Sequence, residues 1–199
     1  MRQLTLTEQA RRAQLVNVTI DLIAIHGYAS CSLQRIADAA GITKAAVIYH
    51  FASKNAVVRS AYEHVIASLT AHMQERIALA ASPSDAVDAY VTSLMGYMAA
   101  HPSHVRVITE SLGGHHDTGI EDSPHSAARW KPLAAMIQAA VDDGGYRSDV
   151  DSRTLALMLN GAIDALVAES LTDAAFDLAT ATTAVLTMLH RTALKQPRG

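Results

Sequence analysis

The 199-residue sequence predicts an all-α protein. Apolar residues recur at spacings of three and four in successive segments, and no segment of useful length alternates with a period of two. Capping residues, glycines and prolines separate the apolar segments, as is typical of helices joined by short loops. The expected architecture is an N-terminal three-helix domain followed by a larger helical domain.

A first helix is expected from Thr5 to about residue 26, where Gly27 ends it. The segment from Thr5 to Glu8 has the form of a capping box, in which a hydroxyl and a carboxylate satisfy amides at the helix start. The helix has a wide apolar face for packing on the next two helices, which includes Val16, Ile20 and Ile23.

The segment from Ser32 to Phe51 has the form of a helix-turn-helix, whose second helix enters the DNA major groove in many proteins. The Ser32 hydroxyl can cap the first helix, and Gly41 can end it because glycine tolerates a left-handed backbone. Thr43 can cap a second helix that starts at Lys44. The exposed start and outer face of that helix are expected to comprise Thr43, Lys44, Ala45, Ala46, Tyr49 and His50.

Two observations favour DNA as the partner of this second helix. Ala45 and Ala46 are small enough to let the helix approach the base edges closely. The first 60 residues carry a formal charge of +4 and the remainder −7, so positive charge is concentrated where a polyanion would bind. The alternative is that the two helices form a plain packing unit.

Six further helices are expected. The first would be about 40 Å long at 1.5 Å per residue, enough to leave the N-terminal domain and enter a second one. The polar, glycine-bearing segment 113–125 is expected to be a loop. The expected helices span about 54–80, 85–100, 102–112, 126 or 132 to 143, 152–171 and 173–195.

The last two predicted helices are apolar on more than one side and contain small residues at Gly161, Ala162 and Ala165. A helix that is apolar on two sides needs two packing partners, one of which can come from another subunit. We therefore expect a two-fold homodimer through a four-helix bundle. The alternative is that these helices are merely central to their own domain.

The sequence has the features expected of a cytoplasmic protein without a membrane segment. No run approaches the roughly 20 consecutive apolar residues of a membrane span, and the N-terminal segment is charged where a secretory signal would be apolar. The single cysteine, Cys31, cannot form an internal disulfide, which fits a reducing compartment.

Ten histidines raise the alternative of a metal-responsive protein. Several lie close together in sequence with two carboxylates, and these residue types are zinc ligands. Their spacing matches no metal motif, so we expect neither a metal site nor a cofactor. The residues concerned are His101, His104, His115, His116, Asp117, Glu121 and His125.

An enzyme is a third and less favoured interpretation. The sequence contains no glycine-rich phosphate loop, no G-x-S-x-G, no H-E-x-x-H and no distinctive carboxylate pair. We therefore expect no catalytic residues.

The middle helices carry aromatic and methionine side chains that suit either a packed core or an adaptable apolar pocket. If they line a pocket, His101, His104 and Glu110 could supply polar contacts to a ligand. The candidate ligand-binding residues are Tyr90, Met95, Met98, His101, His104, Trp130 and Met136.

The helix-turn-helix segment resembles the N-terminal domain of the TetR family of bacterial repressors. The matching residues are Ile36, Ala37, the run from Ala40 to Lys44, Val47, the run from Tyr49 to Phe51, and Lys54. The family often has glycine and a hydroxyl residue where this chain has Ala45 and Ala46, and frequently tyrosine where it has Ile48. The operator sequence therefore cannot be carried over from relatives.

The resemblance implies a ligand-responsive repressor with a DNA-binding domain at 1–53 and a ligand-binding and dimerisation domain at 54–199. It implies dimerisation through the last two helices, a palindromic double-stranded operator with half-sites about 34 Å apart, and release by a small apolar effector. Lys44, Tyr49, His50 and Lys54 would contact phosphates, and Ser32 would lie at the same surface. The residues expected nearest the base edges are Thr43, Ala45 and Ala46.

Overall fold

The computed structural model describes residues 5–112, 120 and 126–195. Within these residues the chain forms nine helices and no strand, apart from one isolated bridge between Tyr146 and Leu194. The prediction of an all-α chain with an N-terminal helix-turn-helix is confirmed. The helices are α1 (Leu6–Ser30), α2 (Leu33–Ala40), α3 (Lys44–His50), α4 (Lys54–Ile77), α5 (Pro83–Ala100), α6 (Pro102–Leu112), α7 (Ala127–Asp142), α8 (Ser152–Thr172) and α9 (Leu178–Ala193).

The chain divides into two compact units. Unit 1 comprises Met1–Ser68 and His101–Asp122, and unit 2 comprises Leu69–Ala100 and Ser123–Gly199. The division falls inside α4 and between α5 and α6, so α6 belongs to the same unit as the helix-turn-helix. The boundary between residues 53 and 54 that the sequence suggested for the two functional domains stays a prediction.

The start of α1 is the predicted capping box, and its end differs from the prediction. The Thr5 hydroxyl accepts from the Glu8 amide at 3.2 Å, and the Glu8 carboxylate accepts from the Thr5 amide at 2.8 Å. Gly27 has a φ of 74° and a ψ of 165°, which breaks the helix as expected. A further short helical stretch follows the glycine, so Gly27 is a kink and the element ends at Ser30.

The start of α9 was predicted five residues too early. Asp173 instead ends α8, donating its amide to the Glu169 carbonyl. Asp177 caps α9, because its carboxylate accepts from the amides of Ala179 and Thr180 at 3.0 and 3.2 Å. The helix start therefore lies at Asp177 and not at Asp173.

The core of unit 1 joins α1, α2, α3, α4 and α6. Fully buried side chains from each of these helices form one cluster, which includes Leu15, Ile23, Ile36, Val47, Val57 and Val107. Because α6 packs against α1, the helix-turn-helix shares its core with a helix that follows it by some 50 residues. Helix α3 joins this core through Val47, the buried residue of that helix.

The core of unit 2 joins α5, α7, α8 and α9. Its fully buried members include Val91, Met95, Leu133, Ile137, Leu159 and Leu189. Of the described helices, α8 alone is long and apolar enough to cross a membrane by length and composition. Four of its apolar side chains lie in this core, namely Leu155, Ala156, Leu159 and Ile163.

Candidate nucleic-acid interface

The elbow between α2 and α3 is fixed by two hydroxyl caps and one glycine. The Ser32 hydroxyl accepts from the Arg35 amide and the Thr43 hydroxyl from the Ala46 amide, each at 3.2 Å. Gly41 ends α2 with a φ of 66°, a left-handed conformation that residues with a side chain adopt at a cost. The two caps satisfy amides that helix starts leave without partners, so α3 is held in one orientation.

The outer surface of α3 is close to the predicted one. Lys44 and Ala45 are exposed, Tyr49 is 68% exposed, and Val47 is fully buried in the core of unit 1. Ala46 is half-buried, as is His50. The face available to a ligand is therefore narrower than expected, and it includes Ile48, which is 46% exposed.

Tyr49 and His50 are joined to α1. The Tyr49 hydroxyl donates to a Glu8 carboxylate oxygen at 2.9 Å, and its ring meets the His50 ring edge to face at 5.0 Å. The Arg12 guanidinium donates to the His50 carbonyl and lies 4.0 Å from the centre of the Phe51 ring. Arg12 therefore braces the end of α3, a role that its position in the sequence did not indicate.

Lys54, at the first turn of α4, is held by Tyr28. Its ammonium donates to the Tyr28 carbonyl at 2.6 Å and lies 3.8 Å from the centre of the Tyr28 ring. Burial lowers the pKa of Lys54, and neighbouring Cys31 opposes that shift. The ammonium carries three donors, so it can hold Tyr28 and still bind a phosphate oxygen.

An open cleft of about 490 Å³ lies where α3 ends and α4 begins. Two guanidinium groups and several hydroxyl and amide groups line it, which suits a phosphate oxygen. The Ser53 hydroxyl caps α4 by accepting from the Ala56 amide at 3.1 Å. The sequence indicated His50 and Arg12 as residues that can approach a phosphate and Ser53 as the cap of α4, but it did not indicate the other polar residues of the lining, Asn55, Arg59 and Ser60.

Four of the candidate ligand-binding residues lie together in unit 2. Tyr90, Trp130 and Met136 pack against the core cluster, and Met95 is a fully buried member of it. Met98 is half-buried on α5. The structure thus brings Tyr90, Met95, Trp130 and Met136 to one apolar core. This arrangement suits both a packed core and an adaptable apolar pocket, the two interpretations that the sequence left open.

A polar network lies beside that core. The Tyr90 hydroxyl donates to the Asn160 side-chain carbonyl at 3.4 Å, and the Asn160 amide donates to the Arg129 carbonyl at 3.2 Å. The Arg129 guanidinium pairs with the Asp164 carboxylate at 2.9 Å. Burial raises the pKa of Tyr90, so its hydroxyl stays protonated and can orient a polar group.

The remaining two candidates, His101 and His104, belong to unit 1. Their rings stack with centroids 5.1 Å apart, and burial lowers the pKa of His104, as do His101 and His64. The described part of the chain holds no cluster of three metal-ligating side chains. The other residues of the metal hypothesis lie outside the described residues, and they are His115, His116, Asp117, Glu121 and His125.

The outer faces of α8 and α9 carry exposed apolar side chains. Leu157 and Met158 on α8 are 40% and 54% exposed, and Met188 on α9 is 40% exposed. An open groove on α9 is lined by small and hydroxyl side chains, which include Thr180, Thr183, Ala184 and Thr187. Large exposed apolar side chains on adjoining helices are typical of an interface with another chain.

Residues 15–61 match the sequence model of the family described as bacterial regulatory proteins, tetR family. The chain is 27% identical over 148 residues, 72% of each chain, to the HTH-type transcriptional repressor KstR2 of Rhodococcus jostii. It is also 27% identical over 140 residues to the repressor SCO4008 of Streptomyces coelicolor, covering 70% of this chain and 67% of that one.

Solved structures show the same fold. The fatty acid degradation regulator FadR from Bacillus halodurans superposes with a TM-score of 0.79 at 18% identity, covering 94% of this chain and 96% of that one. FadR from Bacillus subtilis, solved in complex with stearoyl-CoA, gives a TM-score of 0.77 at 19% identity, covering 89% and 96%. Helical chains of this architecture therefore include transcriptional regulators.

Proposed function

Because the chain belongs to the TetR family of bacterial regulatory proteins, we propose that it represses transcription from a palindromic operator as a homodimer. A small apolar effector held in unit 2 would release it from the DNA. The protein is a DNA-binding regulator, and its relatives are regulators rather than enzymes. Its place of action would be the cytoplasm, where the operator is.

The observation that carries the proposal is the fixed elbow of α2 and α3 with its exposed Lys44 and Ala45. A slender helix with small residues at its start can enter the major groove, and a lysine beside it can bind a phosphate. Thr43, Ala45 and Ala46 would lie nearest the base edges. The phosphate contacts would come from Lys44, Tyr49, His50 and Lys54, with Ser32 at the same surface.

Replacing Lys44 tests this surface. The logarithm of the binding constant should fall linearly with the logarithm of salt concentration, by about 0.9 for each phosphate neutralised. We expect Lys44→Ala to weaken binding to every duplex and to flatten the slope by about one phosphate per protomer. The exposed lysine Lys131 of α7 provides the control, because Lys131→Ala should leave the slope unchanged. Fluorescence anisotropy between 50 and 300 mM salt, roughly the range in which such slopes are measured, gives both values.

Exposed apolar residues support the dimer. A face with Leu157, Met158 and Met188 at 40–54% exposure would be covered if α8 and α9 packed on the same helices of a second copy. Exposed Gly161 and Ala165 would let the α8 backbones approach. Two copies would then place their α3 helices in successive major grooves, about 34 Å apart.

The effector proposal has support from unit 2 and from one neighbour. Tyr90, Trp130 and Met136 surround a core that adaptable methionines could open for an apolar molecule. FadR from Bacillus subtilis, which shares the fold, was solved with stearoyl-CoA. We expect stearoyl-CoA to release the operator and coenzyme A alone to leave it bound. If stearoyl-CoA and coenzyme A release the operator to the same extent, the result contradicts an apolar acyl effector.

The effector could act through α4 and α6. Helix α4 contributes to both units, and α6 directly follows α5 of unit 2 along the chain. Within unit 1, the Glu110 carboxylate of α6 accepts from the Tyr28 amide at 3.2 Å, and Tyr28 in turn holds Lys54. An effector can shift this arrangement only by as much as it prefers the conformation that does not bind DNA.

A further inference from the structure

The outer surface of α3 offers few hydrogen-bonding side chains. Of the side chains that bind base edges in pairs of hydrogen bonds, its seven residues, KAAVIYH, include only Lys44, and no arginine, asparagine or glutamine. The hydroxyls at its two ends already have partners. That of Thr43 accepts from the Ala46 amide at 3.2 Å, and that of Tyr49 donates to Glu8 at 2.9 Å.

Ile48 is the large apolar residue on this surface. It is 46% exposed, whereas its neighbour Val47 is fully buried. It does not belong to the core cluster of unit 1 or to the apolar residues that pack against that cluster. The fold therefore gains little from this side chain, and its chemistry is available to a partner.

Ile48 continues the surface that Lys44 and Ala45 begin. Residues three and four apart on a helix are neighbours, so Ile48 lies one turn beyond both. The patch formed by Ala45 and Ile48 is apolar, and the ammonium of Lys44 flanks it. An apolar patch beside an ammonium suits a DNA duplex, which offers phosphates to the ammonium and can present an apolar group in its major groove to the patch.

Thymine supplies that group. Among the four bases, it alone places a methyl group at the major-groove edge, whereas the others present hydrogen-bond donors and acceptors. Packing a methyl group against an isoleucine removes both from water. A polar base edge in the same place would lose water without gaining a hydrogen bond.

We infer that Ile48 determines part of the operator sequence by packing against a thymine 5-methyl group in the major groove. The inference rests on the proposed function and assigns a specificity-determining residue within it. Recognition by α3 would then depend on apolar contact at this position rather than on paired hydrogen bonds.

Removal of the thymine methyl group, of the Ile48 side chain, or of both tests this inference. An operator is first selected from a randomised duplex library, and each thymine in it is then replaced singly by deoxyuridine, which lacks only the methyl. We expect one such replacement in each half-site to weaken binding of the unaltered protein about fourfold. The Ile48→Ala variant should bind the selected duplex and its deoxyuridine derivative with equal affinity, because the side chain that packs against the methyl group has been removed.

Two further variants keep the test decisive. Ile25→Ala removes another exposed isoleucine of unit 1, 70% exposed on α1, and should retain the fourfold sensitivity. Ile48→Val removes one methylene and should show a sensitivity between those of the unaltered protein and Ile48→Ala. It also serves if the alanine variant folds poorly.

The outcomes separate the inference from the function on which it depends. If a duplex is selected and bound, but no deoxyuridine replacement weakens binding, the inference is overturned and the proposed function stands. Sensitivity that persists in Ile48→Ala overturns it as well. If no duplex is enriched at all, the proposed function itself fails, and the inference fails with it.

Discussion

Ser32 and Thr43 perform the same task at the starts of α2 and α3. Each hydroxyl accepts from an amide three residues further on, and caps of this kind contribute about 1 kcal/mol each to stability. The elbow also needs Gly41 in its left-handed conformation. These three residues could be assigned from the sequence because a cap and a left-handed glycine act within one turn of the chain.

The partners of Lys54 and Tyr49 could not be assigned in that way. The Tyr28 carbonyl lies 26 residues before Lys54, and Glu8 lies 41 residues before Tyr49. Such pairs exist only because α1 packs against the later helices, and no local pattern in the sequence encodes that packing. The contact of Arg12 with the His50 carbonyl depends on the same packing.

His104 gives the folded protein a pH dependence. Burial lowers its pKa, and the neighbouring His101 and His64 lower it further, so the folded chain releases this proton more readily than the unfolded chain does. The stability that depends on neutral His104 is therefore complete above its ordinary pKa of about 6.5 and is lost as the pH falls below that value. We expect the urea midpoint to fall between about pH 7.5 and pH 5.5, and to fall less for His104→Gln. If the urea midpoint falls equally with pH in the unaltered protein and in His104→Gln, His104 does not contribute this pH dependence.

Among the elements, α6 joins the core that carries the helix-turn-helix. Its position in unit 1 could not be foreseen, because the sequence suggested only where the helix begins and ends. The bounds of α6 were correct, since Pro102 fits the first turn of a helix. The start of α9 was wrong because Asp173 and Asp177 are both plausible caps, and only the packed structure distinguishes them.

Removal of the α6 carboxylate tests the link between α6 and α1. Glu110 accepts from the Tyr28 amide beside the kink at Gly27, and a lost charged hydrogen bond costs about 1.5–3 kcal/mol when its partner is left without one. We expect Glu110→Ala to lower the free energy of unfolding by about 1–2 kcal/mol, because the site is part-buried. Glu110→Gln, which keeps an acceptor, should lose about half as much.

Urea unfolding followed by circular dichroism measures both changes. Glu63, an exposed glutamate of α4, provides the matched control, and Glu63→Ala should change the free energy of unfolding by less than about 0.5 kcal/mol. If Glu110→Ala unfolds with the free energy of the unaltered protein, the Glu110 contact does not hold α6 to α1.

The whole molecule combines a basic N-terminal segment with an acidic remainder. The first 60 residues carry a net charge of +4 within a total of −3. Positive charge on the proposed DNA-binding part would attract the duplex, and negative charge elsewhere would limit non-specific coating of nucleic acid. The exposed apolar faces of α8 and α9 would form the interface of a two-fold homodimer. Such a dimer requires an operator with the same two-fold symmetry.

Selection from a randomised duplex library, followed by sequencing, tests the central claim that a dimer recognises DNA through α3. We expect enrichment of an inverted repeat whose half-sites lie about 34 Å apart. Met158→Glu places a charge on the 54%-exposed methionine of α8 and should abolish that preference, whereas Leu79→Glu, at an 80%-exposed position outside α8 and α9, should preserve it. Enrichment of no sequence, or of a single half-site bound by one protomer, would contradict the account.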